Sequence, residues 1–150
     1  MLNLIFGILS KNNFHEKILF NSSEISLKIK GTGMKDIIYE NFIDKEYPCP
    51  SFVYLNEEIQ NLSPCYKINI TTSGSIIKLV WNDPLTSIRC LFCNCKDITE
   101  VIFNSFDNSL LTHMAALFRY CDSLTSIDVS NLKTMNVNLM SYMFNKCYSI

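Results

Sequence analysis

THMAALFRYCDSLTSIDVSNL, residues 112–132, decides the fold because its apolar positions recur on both sides at one spacing. Phe118 has Phe92 26 residues before it and Phe144 26 residues after it. Cys121 is flanked in the same way by Cys95 and Cys147, and Met114 by Ile88 and Met140. Leu117 keeps register with Leu91 and Met143, Leu111 with Leu85 and Val137, and Leu124 with Ile98 and Ile150. Three two-membered columns follow: Val101 with Ile127, Phe103 with Val129, and Phe106 with Leu132. Self-similarity at a period of roughly 20–50 residues marks stacked units, each burying its apolar face against the next.

Within a unit the pattern divides in two. Met114, Leu117 and Phe118 stand at i, i+3 and i+4, the spacing of one helix face, with Thr112 placed as an N-cap. This predicts a helix over residues 112–120 and its repeat over 138–146. The stretch LTSIDV, residues 124–129, ends in period-2 alternation and predicts a short strand. Strands joined by helices in a right-handed coil give an α/β solenoid: a short parallel sheet with helices on its other side.

Upstream of the repeats the pattern changes. EISLKIK (residues 24–30), SFVYL (51–55), YKINI (66–70) and IIKLVW (76–81) read as strands separated by Gly, Pro, Asn and Ser turns. They predict a small β-rich N-terminal cap over residues 21–84, ahead of repeats over residues 85–150. Residues 1–20 form a separate apolar segment in which MLNLIFGIL is open to two readings. One is a truncated signal segment, which would lack a basic start and a small-residue cleavage site; the other is an apolar element packed on the first layer.

SYMFNKC at residues 141–147, combined with LTSIDVSN at residues 124–131, resembles the BspA-like leucine-rich repeat family of 26-residue-repeat surface proteins. Met140, Met143, Phe144 and Cys147 match the first half of that family's unit. Leu124, Ile127, Asp128, Val129, Ser130 and Asn131 match the second. The preceding unit departs from the pattern, with Ile102 where the family often has Asp and Ser105 where it has Asn. The resemblance covers residues 85–150 and implies a cell-surface protein that binds protein or matrix. It brings no catalytic residue with it. The family commonly has many units, so the two and a half present predict an incomplete array, with an open edge after the last strand that favours self-association.

The composition narrows the function further. A net charge of −1, with 13 Lys and Arg spread along the chain, supplies no basic stripe for nucleic acid. No run of apolar residues is long enough for a membrane-spanning helix. Cys90, Cys93 and Cys95 cluster, but a zinc site needs four ligands and no second pair follows, so neither metal nor cofactor is expected. Cys95 has a structural role through its column. Cys49 and Cys65 are candidates for a disulfide in the cap. His15 and His113 are the only partners for a Cys–His nucleophile, and neither has an orienting third group in the sequence.

The candidate binding surface is the outward face of the repeat strands: Glu100, Ile102 and Asn104 from one, Ser126, Asp128 and Ser130 from the next. The structural core columns are Phe92, Phe118 and Phe144; Cys95, Cys121 and Cys147; and Met114 with Met140. Asn21, Asn61 and Asn69 lie in N-x-S/T triplets and are candidate glycosylation sites. The expected function is a non-enzymatic, surface or secreted repeat module binding a protein or glycan. The alternatives are an intracellular, cytoplasmic scaffold on the same repeats and a truncated copy without function of its own.

Overall fold

The computed structural model describes residues 22–43, 47–107 and 109–150. The segment over residues 1–20 and the candidate glycosylation residue Asn21 lie outside them. Eight strands follow in order: β1 (Ser23–Ile29), β2 (Gly33–Asp36), β3 (Phe52–Leu55), β4 (Glu58–Gln60), β5 (Lys67–Ile70), β6 (Ser75–Trp81), β7 (Ile98–Ser105) and β8 (Ser126–Asp128). Six form one sheet in the order β4-β3-β6-β1-β7-β8, while β2 and β5 pair antiparallel beside it. The alternation read in EISLKIK is seen directly. Ile25, Leu27 and Ile29 are buried, while Ser26 and Lys28 face out. Gly31 and Gly33 make the following turn with positive φ, a conformation open to residues without a Cβ.

The α/β assignment does not hold. Among the described residues there is no α-helix, only one 3-10 turn at Glu40–Phe42. The sheet is mixed rather than parallel: β7–β8 is parallel, and its other pairings are antiparallel. Residues 112–120 and 138–146, expected as helices, are successions of tight turns. Two facts explain the difference. First, Cys90, Ala116 and Tyr142 have positive φ, as do Asn94, Tyr120 and Lys146 four residues further on. A left-handed residue every fourth position is incompatible with a right-handed helix. Second, the backbone N–H groups do not bond back along their own segment as a helix requires. They donate to the next unit: Ile88 to His113 O (2.9 Å), Cys90 to Ala115 O (3.0 Å), Phe92 to Leu117 O (3.0 Å) and Asn94 to Arg119 O (2.8 Å).

The same four bonds recur one unit on, from Met114, Ala116, Phe118 and Tyr120 to the carbonyls of Leu139, Ser141, Met143 and Asn145. Each coil is folded tightly by turn bonds such as Cys95 N–H to Phe92 O and Cys121 N–H to Phe118 O. Consecutive four-residue turns bring positions i, i+3 and i+4 to one side as effectively as a helix does, so the same apolar spacing arises here without a helix. Thr112 is not an N-cap. Its N–H and hydroxyl both donate to Thr86 O, at 3.0 and 3.3 Å.

Stacking of the units is observed. Phe92 and Phe118 lie parallel with ring centroids 5.7 Å apart, and Phe118 and Phe144 follow at 5.6 Å. One core runs from Ile25 and Trp81 through Phe92 and Phe103 to Phe118 and Leu124. It crosses residues 84 and 85 without a break, because β1 lies between β6 of the upstream region and β7 of the first repeat. On the upstream side of the first coil, Tyr39 N–H donates to Leu91 O at 2.9 Å. Leu117 O and Met143 O, in the same column, accept from Phe92 and Phe118. The upstream region thus supplies one N–H at the position where a preceding coil would.

Candidate functional site

The solvent face of the six-stranded sheet is built by the residues that alternate with its core positions. Strand register sets its rows. Tyr54 lies opposite Lys78, Lys78 opposite Ser26, Ser26 opposite Ile102, and Ile102 opposite Asp128. In the adjacent row, Ile76, Lys28, Glu100 and Ser126 face one another in turn. Where β1, β6 and β7 meet, these side chains line a shallow depression of about 370 Å³ that includes Glu24, Ser26, Lys28, Lys78, Ile102 and Asn104.

Polar side chains in the depression are tied across strands. Lys28 Nζ donates to Glu100 Oε1 at 2.7 Å. Lys78 Nζ lies 3.5 Å from Glu57 and 4.0 Å from Glu24, and over the Tyr54 ring at 5.6 Å from its centroid. Asn104 Nδ2 donates to Glu24 Oε1 (2.9 Å) and Ser26 Oγ (2.6 Å). Ile102, 40% exposed, and Ile76, 50% exposed, are the apolar patches between these polar ties. Partly exposed ion pairs of this kind add about 0–1 kcal/mol each to stability. Their main consequence is to fix the orientation of the side chains.

Of the six residues expected to form the binding face, the structure places Glu100, Ile102 and Asn104 in the depression. Ser126 and Asp128 lie exposed on the edge strand beside it. Ser130 lies past the end of β8, and its N–H and hydroxyl both donate to Asp128 Oδ1, at 2.9 and 2.5 Å. Those bonds, the hydroxyl first, hold the Asp128 carboxyl below its ordinary value. Asn131, next in sequence, donates to the carbonyls of Phe103 and Asn104 and ties this turn to the preceding unit. Asn61 and Asn69 are exposed.

The structural columns divide by position in the stack. Phe92, Phe118, Met114, Cys95 and Cys121 are buried. Phe144 is 46% and Met140 49% exposed, and Cys147 is half-buried, because no described coil lies beyond them. The thiols of Cys121 and Cys147 each donate to the carbonyl of the preceding Phe, Phe92 and Phe118, at 2.9 and 2.8 Å. Burial pushes the Cys95 and Cys121 thiols well up. Cys49 pairs with Cys65, and Cys90 with Cys93, each as a disulfide. No group of three or more His, Cys, Asp or Glu among the described residues could hold a metal ion. The backbone of His113 bridges those of Ser87 and Leu139.

Sequence reading missed the upstream half of the face: Ser26, Lys28, Tyr54, Ile76 and Lys78. Period-2 alternation in β1, β3 and β6 marked them as outward-facing. Only the pairing of β1 with β7, which brings Lys28 to Glu100 across 72 residues, puts them on one surface with the repeats. It also missed polar columns in the same 26-residue register. Thr125 donates to Thr99 O as Thr112 does to Thr86 O, and Lys96 pairs with Asp122 at 3.8 Å.

Fold and surface together define a repeat-built β protein, with stacked turn-rich coils continuing from a mixed sheet. No helix among the described residues is long and apolar enough to cross a membrane. The chain belongs to the family described as "Mycoplasma protein of unknown function, DUF285", which matches residues 67–150, more than half of its length. The match begins at β5 and so takes in β6 as well as the repeats. No curated protein and no solved structure matches the chain.

Proposed function

We propose that the chain is a non-catalytic binding module, displayed at a cell surface or secreted, that contacts a protein or glycan through the solvent face of its sheet. The observation that carries this reading is the depression on that face, where Lys28, Glu100, Lys78, Glu24 and Asn104 are held in place by one another before any ligand arrives. Side chains already ordered lose less entropy on binding. Ile102 and Ile76 add apolar area between polar neighbours, the mixture found in non-obligate interfaces. The two cystines support an oxidising location. So does the likeness of residues 124–147 to BspA-like surface repeats.

The test is binding of the purified chain to panels of glycans and of extracellular-matrix proteins. A ligand of this face should lose at least tenfold in affinity with Ile102→Asp and with Glu100→Lys, while thermal unfolding of both variants stays close to that of the parent. Undiminished binding by both variants would remove the sheet face from the account.

A further inference from the structure

Where the second and third coils adjoin, two positive charges gather at one aromatic ring. The guanidinium carbon of Arg119 lies 4.8 Å from the centroid of the Tyr120 ring, and Lys146 Nζ lies 5.1 Å from it. Arg119 Nη2 also donates to the Tyr120 hydroxyl at 3.2 Å. Among the described residues neither cation makes an ion pair, whereas Lys28, Lys35, Lys67, Lys78 and Lys96 do. Arg119 Nε is buried and has no hydrogen-bond partner among them. A buried donor without an acceptor is rare in folded proteins, and like charges side by side disfavour each other. Both features call for an anion.

The repeat does not demand these side chains. Arg119 stands in the column of Cys93 and Asn145, and Tyr120 and Lys146 stand in that of Asn94. The second column has positive φ throughout: 60° at Asn94, 63° at Tyr120 and 61° at Lys146. Asn adopts this conformation more readily than a bulky side chain does. Stacking alone would fill the Tyr120 position more easily with Asn, and residues held in a strained backbone cluster at ligand sites. The position also stays open along the stack. Asn94 is exposed and Tyr120 partly exposed, although the following coil bonds to each: Asn94 N–H to Arg119 O at 2.8 Å, and Tyr120 N–H to Asn145 O at 3.0 Å. A coil beyond Lys146 would leave that residue accessible in the same way.

We infer that Arg119, Tyr120 and Lys146 form a binding site for an oxyanion, either the free sulfate or phosphate ion or the same group carried on a sugar. The Tyr120 hydroxyl accepts from Arg119, so its own hydrogen remains to be donated. The guanidinium presents N–H groups in the planar fork that matches an oxyanion. Lys146 adds charge at the same ring. An anion that draws the guanidinium outward also gives Nε the acceptor it lacks. The site shares no residue with the depression on the sheet face, so either stands without the other.

The isotopically labelled full chain is titrated with sodium sulfate, sodium phosphate and galactose 6-sulfate, with sodium chloride at matched ionic strength as the reference. NMR follows the Arg119 Nε–H signal, the Tyr120 ring signals and the backbone amides of residues 119, 120 and 146. The expected result is saturable movement with a Kd of about 1 mM or tighter for at least one probe, and none with chloride. Arg119→Asn and Tyr120→Asn install the residue that a neighbouring coil carries in the same column. Both should therefore fold, Tyr120→Asn with a Tm no lower than that of the parent, and both should bind at least tenfold more weakly by the backbone signals. Tighter binding of galactose 6-sulfate than of sulfate assigns the site to a glycan; equal or weaker binding assigns it to the free ion. The inference is overturned if no probe saturates, if chloride moves the signals as far, or if both variants bind as the parent does.

Discussion

Phe118 sits in the middle of a three-ring stack, fully buried, with Phe92 and Phe144 on either side. Phe118→Ala removes both ring contacts and leaves a cavity, so chemical denaturation should show a loss of roughly 3–5 kcal/mol. Phe144→Ala, at the half-exposed end, should cost about 1–2 kcal/mol by the same reasoning. The cysteines in the neighbouring column make a second prediction. Burial holds Cys95 and Cys121 protonated in the folded chain, while their unfolded counterparts ionise from about pH 8.5. The folded state then binds more protons than the unfolded one, so stability falls as pH rises above that value. Denaturation midpoints should drop between pH 8 and 10, and a thiol reagent on the native chain should label Cys147 before Cys95 and Cys121. The columns themselves were legible in the sequence because burial at a fixed interval leaves a composition trace. Cys in its column has a reason the sequence could not show: a small side chain whose S–H donates to the preceding Phe carbonyl.

The turn-rich segments are the elements where reading and structure part. Apolar residues at i, i+3 and i+4 record which side of a segment is buried, not how its backbone hydrogen bonds run. Those bonds go to a coil 25 residues away, from Phe92 to Leu117 and from Phe118 to Met143, and nothing local marks that destination. Strands β1, β3, β5 and β6 were legible because their alternation and flanking turns are local signals. Ala116 offers a test whose sign separates the two backbones. With φ at 56° it is a left-handed residue, so Ala116→Gly should raise stability, by up to about 1 kcal/mol. In a helix interior the same substitution lowers stability by about 1 kcal/mol. Equilibrium denaturation of the one variant decides between them.

Over the whole molecule, the region before residue 85 and the repeats after it share β1. That strand is flanked by β6 on one side and β7 on the other, and it contributes Ile25, Leu27 and Ile29 to the common core. Neither half keeps both neighbours of β1 when separated. The chain should therefore unfold in one cooperative transition by calorimetry, and residues 21–84 expressed alone should show no such transition. The upstream strands and the repeat period were each readable from sequence. Their union in one mixed sheet was not, since it depends on antiparallel pairing of segments more than 70 residues apart. The candidate binding face was half-legible for the same reason.

Through-hydrogen-bond NMR correlations between amide nitrogens and carbonyl carbons test the central claim, that the repeats are turn-built coils joined by a backbone ladder. Correlations from Phe92 N–H to Leu117 C=O and from Phe118 N–H to Met143 C=O are the predicted result. A correlation from Phe118 N–H to Met114 C=O, the bond of an α-helix, would contradict it.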